Sequence, residues 1–111
     1  MLAQNLSALL FLLLAAILEA GGDASIRIGL RGQRWGLFLG PVVLALYGFA
    51  VNLPRWDFSR LMGVYIAAFF VVAQVLAVVV FRERLQLPAV VGGALIIAGG
   101  LVLTLWHPAP K

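Results

Sequence analysis

Apolar residues run along this chain in four long blocks, and short polar stretches between them hold nearly all of its charge. The first block begins at Leu2 and carries no charge through Leu18, where Glu19 interrupts it. The second runs from Gly36 to Leu53, the third from Leu61 to Phe81 and the fourth from Pro88 to Trp106, all without a charge. The third is rich in Val and Ala, which in a soluble setting suggests a strand. A charge-free run of that length reads instead as a membrane-spanning helix, because about 20 helical residues cross a bilayer core. Pro88 suits a first helical turn. Gly40-Pro41 falls inside the second helix, where the missing N–H is expected to bend it. The pattern therefore predicts helices over 2–28, 36–53, 61–81 and 88–106. No Lys or Arg precedes Arg27, so the first run lacks the basic start of a signal peptide and is expected to stay in the mature protein. Gly21-Gly22-Asp23 either ends that helix or lies within it.

Composition sharpens this. Of 111 residues, 64% are apolar and 11% charged, and mean hydropathy is +1.10. Soluble domains average about 45–50% apolar and about 25% charged. A small soluble fold buries too little surface to hide this excess. No Cys is present, which excludes a disulfide scaffold. The expected fold class is an all-α membrane protein, a single four-helix transmembrane domain over 1–111 with the lipid bilayer as its solvent.

Net charge is +4. The bases Arg27, Arg31, Arg34, Arg55, Arg60, Arg82, Arg84 and Lys111 lie between the runs or near their ends, so they read as topology signals and not as a nucleic-acid patch. Trp35, Trp56 and Trp106 fall at predicted membrane edges, as an aromatic belt does. The links 54–60 and 82–86 are short, which predicts antiparallel sequential neighbours. Five bases on one side face three on the other, the side of the termini. That small bias favours termini outside but permits both orientations.

Glu19 is the most informative residue. If helix 1 runs past Gly22, the carboxylate lies in hydrocarbon, where such groups are costly and functional by default. If the helix stops at Gly21, Glu19 is a solvated end. Asp23 and Arg27 follow at four-residue steps on the same face. They read as an ion pair near the membrane edge, or Asp23 reads as a shallower carboxylate that hands cations or protons to Glu19. Tyr47, Asn52, Tyr65 and Gln74 are the polar groups of helices 2 and 3. Tyr65 suits either the belt or a pocket, and Gln74 either glues helices or contacts a ligand. Helix 4 carries Gly92/Gly99 and Gly93/Gly100 on two stripes, which suits close helix association, between chains or within one. His107 is expected to be solvated. Metal clusters, nucleophile–base pairs and phosphate loops are absent from the sequence, so neither an enzyme nor a cofactor is expected.

With Glu19, Gly22 and Arg27 in that spacing, the chain resembles the small multidrug resistance family of the drug/metabolite transporter superfamily. Gly92-Gly-Ala-Leu95-Ile96-Ile-Ala-Gly99-Gly100 is similar to that family's fourth-helix motif, with Gly in place of its last Val. Arg84-Leu85-Gln86-Leu87-Pro88 is similar to the preceding hairpin. Around Tyr65 no Trp or Gly appears between Val64 and Phe70, and Asp23 is extra. The stretch from Trp35 through Leu44-Ala45-Leu46 and Pro54 to Arg60 looks more like the YnfA-like branch. The resemblance implies an antiparallel, dual-topology homodimer in a bacterial inner membrane, joined through Gly92, Leu95, Ile96 and Gly99. The expected function is proton-coupled efflux of small cationic, amphipathic or hydrophobic compounds by cation/proton exchange at Glu19. Tyr65, Tyr47, Gln74 and Asp23 are the expected lining, and protons and a second copy (or a small paralogue) are the expected partners. The alternatives are a lipid-headgroup or metabolite flippase and a non-transporting scaffold subunit.

Overall fold

In the computed structural model, which describes residues 2–106 and side chains from residue 6 onward, the chain is all-helical. The helices are α1 (Leu2–Leu30), α2 (Trp35–Val51), α3 (Phe58–Val79) and α4 (Leu87–Leu105). Leu6–Leu30, Phe58–Val79 and Leu87–Leu105 are each long and apolar enough to cross a membrane. The 17 residues of α2 rise about 26 Å, a little short of a core of about 30 Å. His107 and Lys111 lie outside the described residues.

Helix boundaries shift from the pattern by at most three residues. α1 continues without a break through Gly21, Gly22 and Asp23, so Glu19 is not a solvated helix end. α2 stops at Val51, two residues early, where Asn52 turns back on the helix: its side-chain Nδ2 donates to the Gly48 carbonyl at 2.8 Å. α3 starts at Phe58, with Asp57 as its N-cap residue, and ends at Val79. Arg82 adopts a left-handed φ of 56°, which lets the Glu83 amide donate back to the Ala77 carbonyl. A left-handed residue is the usual device for ending a helix, and here a non-glycine supplies it.

Short links predicted that every sequential pair would pack. α1 packs on α2 and α3 on α4, but the main contact of α3 outside its own hairpin is with α1 and not α2. Small side chains explain the choice. Ala15 and Ala16 of α1 are fully buried, and they form one core with Leu12, with Ala50 and Val51 of α2, and with Leu61, Val64 and Tyr65 of α3. The helices therefore stand in the order α2, α1, α3, α4.

Two devices hold the hairpins. Between α1 and α2 the backbones meet along a seam of glycines. A methyl group added at Gly29 would lie 2.6 Å from the Leu37 nitrogen, and one at Gly36 would overlap the Ser25 carbonyl oxygen. At Gly40 it would meet Ile26 and sit 2.9 Å from the Gly22 carbonyl oxygen. Small residues permit such approach in lipid, where close van der Waals packing drives association. Between α3 and α4, Arg60 donates from Nε to the Leu103 carbonyl and from Nη2 to the Thr104 carbonyl, both at 2.9 Å. These are terminal carbonyls that α4 itself leaves unpaired, at the end where a positive charge is favoured. The Trp56 ring lies under the guanidinium at 4.4 Å. Arg60, expected to mark topology, is thus also the C-terminal clamp of α4.

The seam makes a prediction. Gly36→Ala should destabilise the protein by about 1–3 kcal/mol, the range for overpacking. Gly48→Ala, on the same helix with nothing within 4 Å of the added methyl, should leave it unchanged or slightly raised. Thermal unfolding of both variants in one detergent checks the contrast.

Candidate cation and proton site

Glu19 sits midway along α1, one residue before buried Ala20 and one turn before Gly22. It faces α3: the Tyr65 hydroxyl reaches both Glu19 and the Ala15 carbonyl one turn earlier, and the next residue, Ala20, lines a cleft with Phe69 and Ala73 of α3. Across from it, buried Tyr65 of α3 donates its hydroxyl proton to Glu19 Oε1 at 2.6 Å. That length lies in the range of O–H···O⁻ bonds, which are roughly twice as strong as neutral ones. The same hydroxyl is 3.3 Å from the Ala15 carbonyl oxygen, a longer second acceptor. Glu19 itself is half-buried and keeps one carboxylate oxygen without a hydrogen-bond donor among the described residues.

Aromatic rings wall this group. The Tyr47 ring of α2 stands 5.7 Å from Tyr65, tilted by 33°. Phe69 of α3 stands 6.1 Å from Tyr65, tilted by 37°. Tilted pairs at these distances are favourable. Tyr65 thus holds a partly open carboxylate beside π surface, to which organic cations are attracted.

Of the residues the sequence singled out, Glu19, Tyr65 and Tyr47 come together. Asp23 lies one turn further along α1, exposed, in a cleft between α1 and α3. The ion pair expected between Asp23 and Arg27 is not formed. The Arg27 guanidinium instead lies over the Phe81 ring, 5.4 Å from its centroid. Gln74 stands apart from the Glu19 group. It lines a groove between α3 and α4 with Phe70, Ala89 and Gly93. On α4 the two glycine stripes divide. Added methyl groups at Gly93 and Gly100 would strike Phe70 and Ala67 of α3, 2.5 and 2.6 Å away. At Gly92 and Gly99 nothing lies within 4 Å, and Leu95 between them is 71% exposed. Gly92, Leu95 and Gly99 are therefore not spent on packing within the chain.

Sequence reasoning missed Phe69, Phe81 and Glu83. Phe69 was within reach, being four residues after Tyr65 and so on its face. Phe81 and Glu83 reach the cleft only because the chain reverses at Arg82, a turn that no Gly or Asn announces. Among the described residues no group of three His, Asp or Glu is placed to hold a metal ion.

Relatives agree with the membrane architecture. The chain is 35% identical over 104 residues to a UPF0060 membrane protein of Kineococcus radiotolerans, covering 88% of this chain and 90% of that one. It is 35% identical over 105 residues to one of Streptomyces coelicolor, covering 92% of each. A Mycolicibacterium gilvum UPF0060 membrane protein is 36% identical over 105 residues, covering 92% of this chain and 95% of that one. The chain belongs to the UPF0060 family of membrane proteins. No family model and no solved structure matches it.

The Tyr65–Glu19 bond is directly testable. Tyr65→Phe keeps the ring stack and removes only the donor, so the protein should remain folded and lose about 1–2 kcal/mol. The infrared carboxyl band assigned to Glu19, by difference against Glu19→Gln, should shift in Tyr65→Phe and stay in place in Tyr47→Phe.

Proposed function

We propose that this UPF0060 protein is a proton-coupled exporter of small cationic or hydrophobic compounds, acting by cation/proton exchange at Glu19. The observation that carries the reading is the half-buried Glu19 carboxylate, held by the Tyr65 hydroxyl within a helix long enough to span the membrane. A membrane-embedded acid is costly unless it is used. The likeness of the Glu19, Gly22, Arg27 spacing to the small multidrug resistance family points the same way.

The chemistry is competition for one carboxylate. Either a proton or a substrate cation neutralises Glu19, and neither binds while the other is present. A cation arriving from the cytoplasm displaces a proton, and a proton arriving from outside displaces the cation. The inward proton gradient then drives export without nucleotide hydrolysis. Tyr65 keeps the deprotonated carboxylate oriented, and Tyr47 and Phe69 supply π surface to the cation.

Alternating access needs a second wall. Many transporters build it from inverted repeats within one chain, and this sequence has no internal repeat. A second copy, inserted in the opposite orientation as the small charge bias permits, supplies it. The α4 face bearing Gly92, Leu95, Ile96 and Gly99 is the proposed contact, supported by the open space at both glycines.

Two outcomes are expected. Purified protein in detergent should release protons when a substrate cation is added. Glu19→Gln should stay folded but abolish that release and all coupled transport, while Glu19→Asp should keep both with a shifted pH dependence. Full proton coupling in Glu19→Gln would refute the assignment. Separately, Gly92→Leu or Gly99→Leu should raise the dimer dissociation constant at least about tenfold, read by energy transfer between labelled copies in vesicles, whereas Gly48→Leu should not.

A further inference from the structure

We infer that the cleft beyond Glu19, between the C-terminal halves of α1 and α3, is a second cation-binding subsite. Its carboxylates are Asp23 and Glu83, and Arg27 is its resident placeholder. Its ligand is a small organic ammonium ion with an apolar body. The inference rests on the export reading, because the cation it collects is the one Glu19 exchanges.

The cleft measures about 250 Å³. Its apolar wall includes Ala20, Phe69, Ala73, Leu76 and Phe81, and its three charged groups are Asp23, Arg27 and Glu83. A small, mainly apolar cavity with a few polar groups is the form ligand sites take. The chain has only four acidic residues. Two of them line this cleft, and a third, Glu19, precedes its wall residue Ala20. Glu83 comes from the α3–α4 hairpin, distant in sequence, so the convergence is a product of the fold and not of local composition.

The position of Arg27 shows what the cleft favours. Its guanidinium shares the cleft with two carboxylates, closes no ion pair with either among the described residues, and lies over the Phe81 ring at 5.4 Å. A cation therefore already occupies the π face of this cleft, and the chain itself provides it. Arg27 and Phe81 also line the neighbouring cavity with Ile28, Arg31 and Gln33. Arg27 swung away from the Phe81 ring vacates it and changes the charge facing the cleft from −1 to −2. An incoming ammonium ion then takes the place of the guanidinium over Phe81, in the cleft that Asp23 and Glu83 line.

The subsite is continuous with the exchange site. Phe69 lines the cleft and also stacks on Tyr65, whose hydroxyl holds Glu19. Asp23 and Glu19 are one helical turn apart on the same face of α1, about 6 Å along the axis. A cation collected at Asp23 and Glu83 moves one turn along α1, past Phe69, to reach Glu19.

The test uses benzyltrimethylammonium, whose charge does not titrate, and the full-length protein in detergent. The background is Glu19→Gln, so that the exchange carboxylate is removed. Isothermal titration should find weak binding with no proton release, one site per chain. Adding Asp23→Asn or Glu83→Gln should weaken it about fivefold each, and Asp23→Glu should restore it. Adding Arg27→Ala should tighten it by a similar factor, since the placeholder is gone. Asp57→Asn, the remote carboxylate, should change nothing. Loss of all binding in Glu19→Gln overturns the subsite, as does indifference to Asp23→Asn and Glu83→Gln, or an equal effect of Asp57→Asn. The export reading fails by a different signal, the absence of substrate-induced proton release from the unmodified protein.

Discussion

A carboxylate in the middle of an apolar helix constrains everything around it. Lipid offers Glu19 no hydrogen bond, so a protein donor has to be brought to it. Tyr65 is that donor, and reaching Glu19 Oε1 at 2.6 Å requires α3 to lie directly on α1. The run of Ala15, Ala16 and Ala20 provides the room. The departure from nearest-neighbour packing and the hydrogen bond are thus one fact seen at two scales.

The hairpins are fastened differently, and each fastening suits its place. Along α1 and α2 the backbones touch at glycines, which sets the spacing without any polar group. At the far end of α4, Arg60 binds two carbonyls that have no helical partner, where the cost of leaving them unpaired is high. Between the hairpins only the α1–α3 contact is extensive, and the Glu19–Tyr65 bond lies within it. That bond therefore lies at the junction where the two hairpins meet.

Much of this was legible in the residues. Hydropathy and length specify four helices, since a charge-free run long enough to cross a bilayer has few other structures open to it. Glu19 was legible because an acid within such a run is exceptional, whereas Tyr65 was legible only as belt or pocket lining and not as the donor to Glu19. What the sequence hid depends on turns and on pairings between distant residues. Asp23 and Arg27 have the spacing of an ion pair, but Phe81 competes for the guanidinium and becomes available only after the reversal at Arg82. Gln74 looks like a pocket residue by polarity. Its position directly after Ala73, about 100° further round the helix, turns it toward α4 instead. Helix α3 begins inside the polar link and takes in Arg60, because that side chain is spent on α4 and so need not mark a boundary.

Charge is divided between two tasks. Basic residues cluster at helix ends and in links, where Arg60 closes two carbonyls of α4 and Arg27 lies over an aromatic ring. Acidic residues do the opposite: three of four gather along the α1–α3 junction. An arrangement chosen for topology alone has no need to bring acids inward, since Asp and Glu contribute little to orientation. An arrangement chosen for packing alone would avoid them, because each adds a desolvation cost. On the proposed export reading, three carboxylates beside aromatic rings, with one guanidinium already over Phe81, are the path the cation follows. The spatial order α2, α1, α3, α4 keeps that path near the middle of the row and leaves the Gly92–Gly99 face of α4 open at its end.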